Sequence, residues 1–298
     1  MPKLSIIILS YNTRDITFAS LETLINSLQK TAFTSEIIIV DNASQDGSVE
    51  MLKKFEQQFE TNHISITAIF NKENVGFPKG NNQGIHIAKG EYILFLNSDV
   101  MVQDIEWDKI LEYMDDHPKC GALTVRVELP TGEIDKASHR GFPTVWNAFS
   151  YYSGLEKVTQ YIPGLNMLFG GYHLTHLHLR NIHAIDALSG AFFLTRKSIM
   201  DALNGFDETF FMYGEDLDLA YRIKEVGYTI IYYPLSTVLH LKYQSGLKTD
   251  KKKTQSKTKG HFFNAMKIFY KKHYEASNPF FVNALVYFFI NLKEKTAK

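Results

Sequence analysis

The segment Tyr92–Leu96 is continuously apolar and is followed at once by the polar residues Asn97, Ser98 and Asp99. An apolar run of this length is typical of a parallel strand that is covered on both faces of its sheet. In open α/β sheets, ligand sites lie at the carboxyl ends of such strands. We therefore expect Asp99 to lie in a crevice at one edge of a sheet.

The first 130 residues alternate apolar runs with helical patterns, which predicts an open α/β sheet. The predicted strands are residues 4–9, 36–40, 64–70, 92–96 and 121–127, and the predicted helices are residues 16–28, 49–59 and 81–88. Polar residues follow three strands, at Ser10-Tyr11-Asn12, Asp41-Asn42-Ala43-Ser44 and Asn97-Ser98-Asp99. Since parallel strands end at one edge, we expect these three groups to lie together.

The composition sets few limits on function. With 298 residues, of which 45% are hydrophobic, the chain can form a large core, and its formal net charge of zero argues against nucleic acid as a partner. The one cysteine, Cys120, cannot form an internal disulfide, which fits a reducing compartment, and we expect a buried structural thiol there. The N-terminus lacks the pattern of a signal peptide, so secretion is not expected.

Common phosphate-binding motifs are missing from the sequence. No G-x-G-x-x-G follows the first predicted strand, and no G-x-x-x-x-G-K-[ST] occurs. The segment 74–84 is glycine-rich and precedes a helix, so its backbone either approaches a nucleotide closely or only shapes a loop.

Two acidic residues, Glu215 and Asp216, follow Gly214 and open a predicted helix that runs to about Val226. Acidic residues are ordinary in the first turn of a helix because they complement its dipole. The aromatic residues of segment 206–213 also predict a partly dry site, in which desolvation would raise the pKa of a carboxyl group toward that of a working base.

Taken together, these motifs resemble the inverting family 2 glycosyltransferases of the GT-A fold, and most closely the bacterial rhamnosyltransferase-type enzymes of surface polysaccharide synthesis. The matching positions follow the family's order over about residues 3–242 and comprise Ser10 to Asn12, Asp41 to Ser44, Asp46 to Ser48, Asn74 to Gly84, Asn97 to Asp99, Ser189 to Ala191, Gly214 to Asp216, Asp218 and His240. The resemblance implies an α/β, Rossmann-like fold of nucleotide-diphospho-sugar transferases, with a central, mostly parallel sheet flanked by helices and a C-terminal helical extension.

The resemblance also implies roles for individual residues. Asp216 would be the catalytic base, with Glu215 as the fallback, and Asp99 with His240 would bind a divalent cation, Mn²⁺ or Mg²⁺. Gly190 and Asp218 would belong to the acceptor side or to another part of the site. The implied nucleotide-binding residues are Ser10, Tyr11, Asn12, Asp41, Gly76, Gly80, Asn82, Asn97 and Ser98. Asn97 departs from the family's D-x-D motif at its first position, which removes one carboxylate from the expected metal ligands.

The expected reaction is a metal-assisted single displacement with inversion, which moves a sugar from a dTDP- or UDP-sugar to a saccharide or lipid-linked acceptor in cell-surface polysaccharide synthesis. On chemical grounds, a cation stabilises the departing diphosphate and one carboxylate accepts the proton of the acceptor hydroxyl. Two alternatives stay open. One is a non-catalytic nucleotide- or glycan-binding relative, and the other is a glycoside hydrolase, which needs two carboxylates.

We expect a catalytic domain over residues 1–245, with a nucleotide-sugar half (1–127) and an acceptor half (128–245). In the acceptor half, residues 127–134 are predicted to form a hairpin. Residues 246–260 are predicted to be a basic, weakly structured loop, followed by aromatic-rich helices over 262–274 and 279–292. The last apolar run, of about 14 residues, is too short to span a bilayer. It either packs on the domain or docks on a membrane, so we expect a cytoplasmic protein with peripheral association at the inner face of the membrane.

Overall fold

A computed structural model describes residues 1–59, 61, 63–242 and 251–296, without the side chains of residues 104 and 251–258. The described residues form nine strands: β1 (Leu4–Ser10), β2 (Ser35–Asp41), β3 (Ile64–Phe70), β4 (Tyr92–Leu96), β5 (Val100–Asp104), β6 (Cys120–Glu128), β7 (His183–Ile185), β8 (Phe192–Arg196) and β9 (Thr229–His240). Eleven α-helices accompany them: α1 (Arg14–Leu28), α2 (Ser48–Phe59), α3 (Phe77–Ile87), α4 (Trp107–Asp116), α5 (Val145–Tyr152), α6 (Leu155–Thr159), α7 (Leu165–Phe169), α8 (Lys197–Ala202), α9 (Glu215–Glu225), α10 (Lys251–His273) and α11 (Phe280–Thr296).

One central sheet has the strand order β3-β2-β1-β4-β8-β6-β9-β5, and β7 pairs with β9 outside this path. The first four strands are parallel, and β8 runs antiparallel between β4 and β6. This confirms the predicted α/β class and all five predicted strands, each within one residue at either end. An isolated antiparallel bridge between Glu128 and Ile134 forms at the predicted hairpin.

Both faces of the sheet are covered by side chains. In β1, Ile6 and Ile8 belong to the core cluster on one face, whereas Ile7 belongs to the cluster on the other. This alternation explains why the strand is apolar at successive positions, because each side chain enters one of two dry layers. Cys120 is buried as expected, and burial raises the pKa of its thiol to about 12.

The strands that the sequence patterns did not reveal lie in the second half of the sheet. The long strand β9 runs parallel to β6 and antiparallel to β5, and the register pairs Val100 with His240. This pairing places the end of β9 beside the polar group that follows β4. The fold therefore brings together residues that are about 140 positions apart in the sequence.

The C-terminal part differs from its prediction. Residues 251–260, expected to be a loop, form the beginning of α10, while residues 246–250 lie outside the described residues. Helices α10 and α11 form an antiparallel pair that is held by Tyr270 Oη to Asn283 Oδ1 at 2.7 Å. Among the described helices, none combines the length and apolar character needed to cross a membrane.

Candidate active site

The predicted metal-binding residues, Asp99 and His240, are neighbours. Asp99 follows β4, His240 ends β9, and the distance from His240 Nε2 to Asp99 Oδ1 is 3.2 Å. Both side chains are largely buried. Burial would lower the pKa of His240, but its hydrogen bonds to Asp135 and Asp99 outweigh that effect and raise the pKa to about 9.

Asp135, which the sequence patterns did not single out, holds the other nitrogen of this imidazole. Its Oδ2 atom lies 2.9 Å from His240 Nδ1, and its Oδ1 atom accepts from Lys242 Nζ at 2.7 Å. Burial would raise the pKa of Asp135, but the hydrogen bonds from His240 and Lys242 hold it well below its usual range. A carboxylate on one imidazole nitrogen is the common arrangement that orients a metal-binding histidine. The only sequence signal was a lone acid just after a predicted hairpin.

The loops after β1 and β2 are tied to each other. Asn12, with a φ of +53°, donates its backbone N–H to Ser44 Oγ at 2.8 Å, and its side-chain oxygen accepts from Gln45 N at 2.7 Å. Asp41 is fully buried, and its Oδ1 accepts from Ser44 N at 2.9 Å. Within the described residues, Asp41 Oδ2 has no hydrogen-bond partner. A buried unpaired carboxylate oxygen is costly, so it marks this position as a candidate ligand contact.

Three further predicted nucleotide-binding residues lie near these loops. Ser10 is fully buried and its hydroxyl lies 3.2 Å from Thr17 Oγ1, whereas Tyr11 is exposed. Ser98 Oγ lies 3.5 Å from Thr13 Oγ1. Among these predicted nucleotide contacts, Tyr11 therefore offers the accessible side chain, and Ser10 supports the loop from beneath.

Gly76 allows two loops to meet closely. Its φ is +88°, and a Cβ atom at this position would lie 2.7 Å from the carbonyl oxygen of Phe211. Phe77 N donates to that same oxygen at 2.8 Å. The glycine is required by this approach, which joins the loop after β3 to the segment that leads into α9.

The structure shows packing and loop contacts for Gly80 and Asn82, which the resemblance assigned to nucleotide binding. A Cβ atom on Gly80 would lie 2.4 Å from the Leu9 side chain, so this glycine lets α3 pack on β1. Asn82 uses its side-chain oxygen and both amide hydrogens on Phe206 and Glu208. Both residues therefore position the loops around the site.

The two remaining predicted residues of this edge, Asn97 and Gly190, are neighbours. A Cβ atom on Gly190 would lie 3.6 Å from Asn97 Oδ1 and 3.0 Å from the ring of Phe77. Asn97 is half-buried at the end of β4. A larger residue at position 190 would therefore crowd the space beside Asn97.

The two acidic residues at the start of α9 have different surroundings, and both carboxylate oxygens of Asp216 have partners. Asp216 Oδ2 lies 2.9 Å from Arg140 Nη2, and its Oδ1 accepts from Leu217 N at 2.8 Å. Glu215 is buried, and within the described residues its Oε2 has no hydrogen-bond partner. Burial, followed by the charge of Asp216, raises the pKa of Glu215 well above its ordinary value. The carboxyl group that is desolvated, as the aromatic segment predicted, is that of Glu215.

The structure also places Arg140 inside the site. Its backbone forms a bridge with Ala187, and its side chain is 14% exposed. Asp135 and Arg140 are five residues apart, so one short segment holds both His240 and Asp216. We call residues 135–140 the linking segment.

Asp218, expected on the acceptor side or in another part of the site, is enclosed by the protein. It is fully buried and contacts Arg222 Nε at 2.7 Å, Lys272 Nζ at 2.7 Å and His273 Nε2 at 2.8 Å. Burial would raise the pKa of Asp218, but the bonds from His273 and Lys272 outweigh it and lower the pKa. Asp218 therefore fastens α10 to α9.

Across the parts of the chain that the structure describes, no group of three or more His, Cys, Asp or Glu side chains is arranged to hold a metal ion. Asp99 and His240 form a pair consisting of a carboxylate and an imidazole. This pair fits a cation that takes its other ligands from a diphosphate and from water.

The sheet and its polar edge define a nucleotide-diphospho-sugar type of α/β fold. The chain belongs to glycosyl transferase family 2, whose model matches residues 5–199. The GT-A-like fold predicted from the motifs is confirmed.

Similar proteins include bacterial glycosyltransferases. An uncharacterized glycosyltransferase of Bacillus subtilis, YfnE, is 27% identical over 259 residues, which cover 76% of this chain and 62% of that protein. The N-acetylglucosaminyl-diphospho-decaprenol L-rhamnosyltransferase of Mycobacterium tuberculosis is 29% identical over 155 residues, or 52% of this chain and 48% of that enzyme. The chain thus spans less than two thirds of the length of these curated relatives.

Among solved structures, the mannosyltransferase PcManGT from Pyrobaculum calidifontis, in complex with GDP-Man and Mn²⁺, is similar in fold. The TM-score is 0.55 at 16% sequence identity, and the match covers 89% of this chain and 63% of that chain. At this identity the similarity supports the fold alone.

Proposed function

We propose that the protein is an inverting glycosyltransferase that moves a sugar from a nucleotide-sugar donor to a saccharide or lipid-linked acceptor in cell-surface polysaccharide synthesis. The observation that carries this proposal is the linking segment, which holds His240 beside Asp99 through Asp135 and holds Asp216 through Arg140. One short piece of chain thus serves both halves of the proposed chemistry.

The donor side of the site would use Asp99 and His240. A divalent cation bound by this pair, Mn²⁺ or Mg²⁺, would stabilise the negative charge that grows on the departing nucleoside diphosphate. Asp41, Tyr11, Asn12 and the Asn97-Ser98 turn are the proposed contacts of the nucleotide. The Mn²⁺ and GDP-Man in the complex of PcManGT support a donor and a cation of this class.

On the acceptor side, Asp216 is the proposed base. A carboxyl group must be ionised before it can accept a proton, and Glu215 resists ionisation because it is buried beside another carboxylate. Arg140 places a positive charge against Asp216. In the proposed step, the acceptor oxygen bonds to the anomeric carbon, the bond from that carbon to phosphate breaks, and the hydroxyl proton passes to Asp216. A single displacement of this kind inverts the anomeric configuration.

A rhamnosyl donor on a dTDP or UDP carrier is the proposed substrate, supported by the similarity to the mycobacterial L-rhamnosyltransferase. The name of that relative gives a diphospho-decaprenol as its acceptor, and this supports a lipid-linked acceptor for the present protein. Cytoplasmic location with peripheral membrane association belongs to the same proposal.

The test begins with thermal shifts of the whole chain in UDP, dTDP and GDP, each with Mn²⁺. A ligand that binds the folded state raises the melting temperature by mass action, so one nucleobase should stand out.

The second experiment measures transfer of the radiolabelled sugar to acceptor extracts, with Asp216→Asn and the exposed control Asp201→Asn. We expect transfer to fall about 10²–10⁴-fold in Asp216→Asn alone, with the nucleotide shift retained.

Three results would contradict the proposal. They are the absence of a shift with every nucleotide, undiminished transfer in Asp216→Asn, and release of free sugar without a nucleotide donor. Full transfer in excess chelator would contradict the proposed role of the cation but not the proposed role of Asp216 as the base.

A further inference from the structure

The outer face of α11 is apolar and exposed. Phe281, Leu285, Phe288 and Leu292 recur at the spacing of one helix face, and all four are exposed. Phe280 and Phe289 flank them, and Phe280 is 84% exposed. The opposite face packs on α10 through Asn283 and Tyr287. The helix is therefore held in place while its most apolar side faces outward.

A second apolar surface lies on the three short helices α5–α7. Its exposed side chains include Trp146, Phe149, Tyr152, Val158, Tyr161 and Met167. Aromatic rings join α5 to α7, because Trp146 of α5 stands 5.5 Å from Phe169 of α7 and 5.8 Å from Phe149 of its own helix, measured between ring centroids. An exposed apolar surface of this extent is uncommon on a soluble monomer and marks an interaction site.

The two surfaces meet. Lys293 on α11 lies over the ring of Tyr152 on α5, with 5.2 Å from Nζ to the ring centroid. Segments that are more than 100 residues apart in the chain thus contribute to one surface. We call the exposed apolar side chains of α5–α7 and α11 the apolar platform.

The charges around the apolar platform are mostly basic. Residues 142–182 and 276–296 contain two acidic side chains, Glu156 and Glu294. Glu156 is buried against His173, and Glu294 pairs with Lys267. The basic side chains of these segments, in contrast, are exposed, and they are Lys157, Arg180, Lys293 and Lys295. A partner with an apolar interior and a negatively charged surface complements this arrangement.

We propose that the apolar platform docks on the surface of an anionic lipid bilayer, with the aromatic side chains entering the headgroup region and the lysines contacting acidic lipids. Amphipathic surfaces with aromatic residues and flanking lysines bind membranes in this way. The inference deepens the proposed function and rests on it for the lipid-linked acceptor, while the docking itself needs no catalysis.

Both halves of the platform are attached to the helix that carries the proposed base. Phe142, just before α5, packs on Tyr221 of α9 with 5.0 Å between ring centroids. Helix α10, which carries α11, holds Asp218 of α9 through Lys272 and His273. A docked platform would thus fix the start of α9 relative to the membrane in which a lipid-linked acceptor lies.

The test is co-sedimentation of the full chain with vesicles of phosphatidylcholine, alone or mixed with phosphatidylglycerol. We expect binding to the mixed vesicles that weakens with salt. The triple variant Phe281→Ala, Leu285→Ala, Phe288→Ala should lower the partition coefficient by about tenfold or more, because it removes three exposed apolar groups. Trp146→Ala with Phe149→Ala should lower it as well, and Lys293→Glu with Lys295→Glu should remove the preference for anionic lipid.

The matched control is Val226→Ala with Leu235→Ala, which removes exposed apolar side chains from outside the platform. It should bind vesicles like the parent. Nucleotide thermal shifts are measured on every variant, so lost docking with retained shifts separates this inference from the proposed function.

Two results would overturn the proposal. One is the absence of vesicle binding by the parent protein at low salt. The other is equal binding by the parent and the triple variant. If light scattering instead finds a dimer that the triple variant abolishes, without vesicle binding, the platform is an interface between copies of the chain and the proposal fails.

Discussion

Arg140 Nη2 lies 2.9 Å from Asp216 Oδ2, and each of the two side chains is 14% exposed. Arg140 stands in the linking segment and Asp216 in the first turn of α9, so the ion pair connects two parts of the chain that share no secondary structure. The guanidinium group fixes the direction of the carboxylate that we propose as the base.

Replacement of Arg140 by Ala should destabilise the protein by about 3–5 kcal/mol, because it leaves a buried carboxylate without its partner. Transfer should fall as well, since Asp216 loses its orientation. Urea unfolding and initial rates measure the two effects. Arg180→Ala, which removes an exposed arginine, should change neither. Unchanged stability and rate in Arg140→Ala would contradict the role that we give to the pair.

Glu215 should make the folded protein less stable as the pH rises. In the unfolded chain this group ionises near its ordinary value of 4.5, whereas burial and the charge of Asp216 raise its pKa in the folded state. Above that ordinary value the unfolded state binds fewer protons than the folded state, so the free energy of unfolding falls with pH until the group also ionises in the folded protein. Glu215→Gln should therefore be more stable than the parent at about pH 8, with the difference vanishing below about pH 4.

Urea unfolding across this pH range measures the effect, with Glu225→Gln on the exposed side of the same helix as the control. The control should follow the parent at every pH. Parallel curves for Glu215→Gln and the parent would show that Glu215 ionises normally in the folded protein.

Asp135→Asn should weaken metal binding without removing a direct ligand. His240 would lose the carboxylate on Nδ1, and loss of such a partner typically lowers metal affinity about 10–100-fold. Titration with Mn²⁺ followed by electron paramagnetic resonance measures this without any substrate. Glu133→Gln, two residues earlier and exposed, should keep the parent affinity. Imidazole NMR should find the pKa of His240 lowered from about 9 in Asp135→Asn. Equal affinity in the two variants would exclude the role of Asp135.

Gly76→Ala should destabilise the loop before α3 more than Gly132→Ala destabilises its own turn. Both glycines have positive φ, +88° and +79°, but an added Cβ atom meets the Phe211 carbonyl oxygen at 2.7 Å in the first case and nothing within 4 Å in the second. Gly132→Ala thus measures the backbone cost alone, about 1 kcal/mol or more. The excess in Gly76→Ala, measured by thermal unfolding, reports the steric contact. Equal destabilisation by the two substitutions would mean that the loop around Phe211 moves to accept the added Cβ atom without a loss of stability.

The first half of the sheet could be predicted because its signals are local. An apolar run such as Tyr92–Leu96 predicts a buried strand from its own residues, and β4 has those same bounds. The pairing of Val100 with His240 depends on a register across more than 100 residues, which no local pattern carries. The resemblance to a family indicated His240 as a site residue, and the structure shows that it lies beside Asp99.

Residues that act through another residue were the hardest to predict. Asp135 and Arg140 gain their significance from partners far along the chain, and each has an ordinary local sequence around it. Gly80 and Asn82 show the converse case, in which a family motif indicates a ligand contact and the structure reveals a packing role. They lie inside a motif of the family, but Gly80 lets the Leu9 side chain approach α3, and the Asn82 amide donates to the carbonyl oxygen of Phe206.

The contacts of Asp218 bear on how much of the chain folds as one unit. Two of the three side chains that contact Asp218, Lys272 and His273, lie on α10, beyond the residues 5–199 that the family model matches. A protein shortened before α10 would lose two of these three contacts of Asp218, which stands two residues from Asp216, and would keep Arg222. We therefore expect cooperative folding to extend past the boundary of the family match, with helix α10 supporting the proposed active site as the sheet does.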